Sequence, residues 1–145
     1  MAQDDGLRRL FRQNLPMVHW ISVETGVTDP GVPDLNGCAQ NVEFWIECKA
    51  TKGWAVTLRP EQIGWLDRRT RAGGRTFVAV RRHCDPRVRT TKEADEIWLY
   101  PGHLARRLKL LGLRNNPPLA HFTGGPANWD WERLGIILLG QRIKK

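Results

Sequence analysis

Apolar and polar residues alternate along residues 42–50, and this period of two predicts a β-strand. One face of that strand is apolar, and we expect it to pack in the core with Phe44, Ile46 and Cys48. We expect the opposite face to be in contact with solvent; it carries Glu43, Trp45, Glu47 and Lys49. A carboxylate beside an ammonium group on a hydrophobic strand is costly unless a function uses it, so this strand is a candidate for chemistry.

Other periodic segments predict the remaining elements. Helices are expected at residues 5–15, from Pro60 to Gly73, at 104–111, and from an N-cap at Asn128 or Asp130 to residue 139. Strands are expected at residues 18–23, from Asp34 with a turn at Asn36-Gly37, at 76–80 and at 96–100. Residues 25–33 and 114–128 are expected to be irregular. The sequence therefore predicts an α/β fold with a small mixed central β-sheet flanked by helices, including a right-handed strand–helix–strand crossover.

Length and composition narrow the class of protein. The chain has 145 residues, which favours one domain, with a core at roughly residues 5–100 and a C-terminal helical extension at 101–145. No apolar run approaches the roughly 20 residues that cross a membrane, and the acidic N-terminus does not resemble a signal peptide. The three cysteines include no Cys-x-x-Cys pair, and the histidines lack metal-ligand spacing, which argues against disulfides and zinc. We expect a cytoplasmic protein.

The net charge of +8 favours a polyanionic partner, and nucleic acid is the first candidate. The basic residues form three clusters: Arg68, Arg69, Arg71 and Arg75; Arg81, Arg82, Arg87, Arg89 and Lys92; and Arg106, Arg107 and Lys109. Asp34 and Glu47 lie outside these clusters. Acidic residues that could bind a cation, together with basic residues that could bind phosphate, are typical of a nuclease.

Phosphodiester hydrolysis needs an activated water and neutralised phosphate charge, and a divalent cation such as Mg²⁺ supplies both. Asp34 and Glu47 could bind Mg²⁺ if their strands are neighbours, with the backbone carbonyl of Cys48 as a third ligand. Lys49 would then orient the attacking water or hold the scissile phosphate. The alternative is a solvated ion pair between Glu47 and Lys49, which contributes about 0–1 kcal/mol.

Four ordered motifs narrow this choice: Gly31-Val32-Pro33-Asp34; Trp45-Ile46-Glu47-Cys48-Lys49; Leu58-Arg59-Pro60-Glu61-Gln62-Ile63-Gly64-Trp65; and Gly73-Gly74 leading into Phe77-Val78-Ala79-Val80. Over roughly residues 18–82 this pattern resembles the PD-(D/E)xK nuclease superfamily, in particular its VRR-NUC branch, which is common in phages. The resemblance implies a restriction-endonuclease-like core and cleavage of DNA with Mg²⁺ or Mn²⁺. It further implies selectivity for branched or flapped DNA, a homodimer, and a phage or bacterial origin.

Carried over by position, the resemblance makes Asp34 and Glu47 the metal ligands and Lys49 the catalytic lysine. Gln62 resembles the helix glutamine that faces the active site. The family often adds an acid on its first helix, where this chain offers only Asp4 and Asp5. Glu24 could substitute for that acid, or it could be an ordinary loop carboxylate. Without a further acid, a one-metal mechanism remains open while the two-metal version is in doubt.

Further residues are candidates for contact with nucleic acid: Lys52, Trp54, Arg59, Arg68, Arg69, Arg71 and Arg75. Trp54 could stack on a base or cover the edge of the core. The arginines after residue 67 could contact phosphates or form a solvated helix face. Two rivals to a flap nuclease remain: a Holliday-junction resolvase of the same fold, which requires a symmetric dimer, and a non-catalytic DNA-binding protein.

Overall fold

The computed structural model describes residues 4–24, 30–83 and 95–144. The predicted contacts of Arg87, Arg89 and Lys92, and residues 25–29 of the predicted loop, lie outside these ranges. The helices are α1 (Leu7–Asn14), α2 (Pro60–Arg71), α3 (Ala105–Leu111) and α4 (Trp131–Leu139). The strands are β1 (His19–Ser22), β2 (Leu35–Ala39), β3 (Val42–Thr51), β4 (Arg75–His83), β5 (Asp95–Pro101) and β6 (Ala120–Phe122). No helix in these ranges is long and apolar enough to cross a membrane.

The six strands form one sheet in sequence order, from β1 at one edge to β6 at the other. Only β3 and β4 pair in parallel, and α2 connects them; the other neighbouring strands are antiparallel. The predicted mixed sheet flanked by helices is therefore confirmed. The crossover places the C-terminal ends of β3 and β4 side by side, next to the start of α2.

Each face of the sheet has its own hydrophobic core. On one face, Phe44, Ile46 and Cys48 pack with residues of α1 and α4, as the alternation along β3 predicts. Burial raises the pKa of the Cys48 thiol, so its side chain stays a neutral core group. On the other face, residues of α2 and α3 cover Val78 and Val80 of β4.

That second core overturns the expectation of a wet face on β3. The Glu47 side chain is buried, with 1% of its surface exposed, and Trp45 packs against Trp65 of α2 with ring centroids 5.2 Å apart. The alternation correctly separated the two faces. It did not reveal that α2, which follows β3 in sequence, folds back over the polar one.

Two local predictions are also wrong. Asn36-Gly37 lies inside β2, and the chain turns instead at Gln40 and Asn41, whose φ angles of 51° and 68° suit a tight hairpin. Gly37 is required by packing, because the Phe44 ring occupies the space a side chain would need. The segment 114–128 is not wholly irregular, because β6 pairs with β5 there and a short 3-10 helix spans Pro126–Asn128.

Candidate active site

Asp34 and Glu47 lie opposite each other where β2 begins beside β3. The register pairs Leu35 with Ile46, which places the preceding residue of β2 across from the following residue of β3. The Cys48 backbone N–H donates to Oδ2 of Asp34 over 2.9 Å. Since the N–H and C=O of one strand residue point to the same side, the Cys48 carbonyl also projects toward Asp34. The two carboxylates and the carbonyl therefore converge at one point of the sheet.

The Glu47 carboxylate is poorly compensated for a buried charge. Its Oε2 atom is buried and has no hydrogen-bond partner. Burial, hydrogen bonding with Asp34 and repulsion by the Asp34 charge raise the pKa of Glu47 to about 9, against the attraction of Lys49 and Arg59. A buried acceptor of this kind is rare in a stable fold and indicates a missing ligand, such as a cation or a proton.

The Lys49 ammonium is fixed by the side chain of Gln62 on α2. Its Nζ donates to Oε1 of Gln62 over 3.1 Å, and the same oxygen accepts the backbone N–H of Arg59 over 2.9 Å. Gln62 thus caps the first turn of α2 and holds Lys49 with one atom. The amide is 6% exposed, so this contact is shielded from bulk water.

The loop before Asp34 presses against the start of α2. Gly31 has a φ angle of 93°, and a side chain there would collide with the backbone carbonyl of Glu61. Only glycine fits such a close approach with that backbone conformation. The first motif glycine therefore sets the distance between Asp34 and α2, and with it the width of the cleft between them.

The cleft has a volume of about 200 Å³. It is lined mainly by polar side chains: Asp4, Arg8, Val32, Asp34, Glu47, Cys48, Lys49, Arg59 and Gln62. The structure thus brings together four of the five residues predicted to be catalytic. It also brings in Arg59, which the sequence suggested only as a contact to nucleic acid.

Asp4, one of the two acids that the sequence offers near the first helix, lines this cleft together with Arg8, which the sequence did not suggest. The Asp4 side chain accepts the N–H groups of Gly6 and Arg8, and forms an ion pair with the Arg8 guanidinium over 2.9 Å. The available signal was the expected cap of α1 at Asp4 or Asp5. Sequence periodicity does not reveal that this end of α1 reaches the cleft.

Glu24 does not line the cleft. It is exposed and follows β1, while Asp5 lines a neighbouring groove on α1. In the described residues no group of three or more acidic, histidine or cysteine side chains is close enough to hold a metal ion. The cleft therefore offers two adjacent carboxylates and a backbone carbonyl, with Asp4 held apart by Arg8.

Several arginines predicted to contact phosphate also make contacts within the protein. Arg75 donates to the carbonyls of Ile137 and Leu138 at the end of α4, over 2.9 and 3.0 Å. Arg69 lies over the Trp65 ring, 4.7 Å from its centroid, and Arg71 pairs with Asp67 over 2.8 Å. These contacts do not test binding to nucleic acid, which stays a prediction for them.

The remaining predicted contacts differ in exposure. Lys52 and Arg68 are exposed, and Arg59 lies at the rim of the cleft. Trp54 is 36% exposed, but the guanidinium groups of Arg82 and Arg114 lie 3.7 and 4.8 Å from its ring centroid. The ring is thus already in contact with two cations of the protein, which favours the interpretation of Trp54 as a cover of the core edge.

The donor set fits a hard divalent cation. Mg²⁺ and Mn²⁺ prefer carboxylate and carbonyl oxygens and keep several water ligands, so two carboxylates and one carbonyl suffice. The unpartnered Oε2 of Glu47 is the structural observation that agrees with such a ligand. The Cys48 thiol faces the opposite core, so it cannot contribute a soft sulfur ligand.

No protein-family model matches this chain, and no curated protein matches it at a significant level. Among solved structures, the chain is similar to Hjc, a Holliday junction resolvase from the archaeal hyperthermophile Archaeoglobus fulgidus. The two share 19% sequence identity and a TM-score of 0.48, over 69% of this chain and 77% of the resolvase chain. A likeness of this size assigns neither family nor activity, so the VRR-NUC branch and the phage origin stay predictions.

Proposed function

We propose that the protein is a metal-dependent DNA nuclease of the PD-(D/E)xK type, selective for branched or flapped DNA. The observation that carries this proposal is the buried, unpartnered Glu47 oxygen beside Asp34, with Lys49 held over the same cleft. A binding module has no use for paired acids next to phosphate. An enzyme needs them, because the cation they hold offsets the phosphate charge.

Asp34, Glu47 and the Cys48 carbonyl would hold Mg²⁺ or Mn²⁺. When bound, the cation would neutralise phosphate charge and lower the pKa of water. The protein contributes a positive charge at Lys49, whose ammonium group is fixed in the cleft by its hydrogen bond to Gln62. From there the ammonium can donate a hydrogen bond to a phosphate oxygen or to the attacking water, and Arg59 at the rim adds a second positive charge.

Cleavage of a labelled panel of single-stranded, duplex, flap and four-way-junction DNA tests this function. We expect cleavage with Mg²⁺ or Mn²⁺, none with a chelator, and a loss of at least about a hundredfold in Asp34→Asn. Glu43→Gln is the matched control, because Glu43 is an exposed acid of the same sheet, on β3, and does not line the cleft. It should cleave like the wild type.

The same panel separates the alternatives. Paired symmetric nicks in the four-way junction would identify a Holliday-junction resolvase, which is what the Archaeoglobus protein is named as. Such nicks would require a symmetric dimer. Binding without cleavage under either metal would contradict the enzymatic proposal and leave a DNA-binding protein.

A further inference from the structure

The outer face of α1 borders an open groove of about 660 Å³, larger than the cleft. We call it the arginine groove; it is lined by Asp4, Asp5, Gly6, Arg8, Arg9, Arg12, Gln13 and Ser22. Apart from one glycine, every lining residue is charged or polar. Three arginines against two aspartates give the lining a net positive charge, which suits an anionic ligand.

The helix presents its arginines because its other face is in the core. Leu7 and Phe11 are fully buried, which turns the intervening positions outward. Arg8 and Arg12 are four residues apart and so lie one above the other, about one helical turn or 6 Å apart. The helix itself contains no acidic residue to neutralise them.

Two of these arginines have their charge available. Arg9 and Arg12 are exposed, and neither forms an ion pair with another described residue, whereas Arg8 pairs with Asp4. Arg12 donates to the Ser22 hydroxyl over 2.6 Å, which holds its guanidinium against β1 while leaving its other N–H groups free for an acceptor. On α2, Arg69 lies over the Trp65 ring and Arg71 pairs with Asp67, although both side chains are also exposed.

The groove borders the cleft. Asp4 and Arg8 line both, so a strand bound along α1 would lie next to the cleft that holds Asp34 and Glu47. We propose that the arginine groove binds the phosphate backbone of the nucleic acid strand that enters the cleft, through Arg9 and Arg12. This inference rests on the proposed function for its ligand, but it concerns binding and is testable without catalysis.

Binding of Arg9→Gln/Arg12→Gln to single-stranded and duplex oligonucleotides tests the groove, in a chelator and over a range of salt concentrations. Loss of two phosphate contacts should lower the slope of log affinity against log salt by roughly 1.8 on duplex and roughly 1.4 on single strands. Affinity at low salt should fall roughly tenfold or more. Arg133→Gln/Arg142→Gln removes the same charge from exposed positions on and after α4, outside the groove and the cleft, and should change both quantities much less.

Arg9→Lys/Arg12→Lys keeps the charge and should keep most of the salt slope, which guards against a loss of folding in the glutamine variant. Equal losses in Arg9→Gln/Arg12→Gln and in Arg133→Gln/Arg142→Gln, an unchanged slope in Arg9→Gln/Arg12→Gln, or a wild type that binds no nucleic acid would overturn the inference. Binding through the groove without cleavage would contradict the enzyme and leave the groove intact. Cleavage with an unchanged slope would contradict only the groove.

Discussion

Two buried glutamates on the same face of the sheet have opposite surroundings. Glu96 on β5 is 7% exposed; its Oε2 pairs with Arg82 over 2.7 Å and its Oε1 contacts His121 over 2.8 Å. Glu47 on β3 is buried even more completely, yet one of its oxygens has no partner. Both carboxylate oxygens of Glu96 have partners within the protein, whereas one oxygen of Glu47 remains available to a ligand.

The Glu96 cluster acts on the chain that leaves β3. Arg82, held by Glu96, donates to the Gly53 carbonyl over 2.9 Å and lies over the Trp54 ring. His121 stacks on Trp98 with ring centroids 3.7 Å apart. Every charge in this cluster has a partner, so we interpret it as structural support for the strand that carries Glu47 and Lys49.

Breaking the satisfied cluster should have the largest effect on stability. Glu96→Gln leaves the Arg82 guanidinium buried without its counter-charge, and loss of one partner of a buried pair costs about 3–5 kcal/mol. The free energy of unfolding should fall by about that amount in urea denaturation. Glu132→Gln, which changes an exposed acid of α4, should stay within about 0.5 kcal/mol of the wild type. If Glu96→Gln lost no more stability than the Glu132→Gln control, the contrast between Glu96 and Glu47 would no longer hold.

Changing the unsatisfied carboxylate should have the opposite sign. Without metal, the folded protein retains a proton on Glu47 between its ordinary pKa of 4.5 and about 9, while the unfolded chain has released it. Stability that is present below pH 4.5 is therefore lost as pH rises through this window, by up to about 1.4 kcal/mol per pH unit. Glu47→Gln should abolish cleavage, remove this decline and make the metal-free protein more stable at pH 8.

Unfolding of wild type and Glu47→Gln from pH 5 to 9 in a chelator measures that contrast. Metal ligands must be deprotonated, so Mg²⁺ should flatten the decline in the wild type and have little effect on the variant. Parallel pH profiles of the two proteins in the chelator would contradict the assignment of Glu47 as an uncompensated buried acid.

The sequence predicted the candidate site better than its surroundings. Alternation along β3 predicted that Glu47 and Lys49 share a face, and both line one cleft with Asp34; their catalytic roles stay predictions. Burial of Glu47 and the approach of Asp4 depend on how α2 and α1 pack on the sheet. Such long-range contacts leave no local pattern, which is why β3 was expected to have a wet face and why the sequence could not choose among Asp4, Asp5 and Glu24 as the additional acid.

The basic residues show the same limit. Their clustering predicted phosphate contacts on and after α2, but clustering does not tell which guanidinium groups the protein itself engages. Arg75 donates hydrogen bonds to two backbone carbonyls at the end of α4. Arg12, in a shorter basic run on α1, lines an open groove. Only the packing of distant elements distinguishes these two arginines.

The smallest effect on stability should come from substitution of Gln62, whose side chain makes both a structural contact and a contact with a candidate catalytic residue. Its oxygen has the structural task of capping α2 and the positioning task of holding Lys49. Gln62→Met removes the acceptor at similar size, and should cost about 1 kcal/mol in unfolding free energy, the usual value of a lost cap. Cleavage should fall roughly tenfold or more, because Lys49 loses its fixed position over the cleft.

Gln62→Glu tests whether the acceptor oxygen is responsible for both effects, because it restores an acceptor for both donors. Cleavage and stability measured on both variants should show recovery of the cap and of much of the rate in Gln62→Glu. A role in capping alone would lower stability in Gln62→Met without changing the rate at a temperature where the protein stays folded. That outcome would mean that Gln62 has only a structural role, like the contacts around Glu96. The position of Lys49 would then be set by β3 alone.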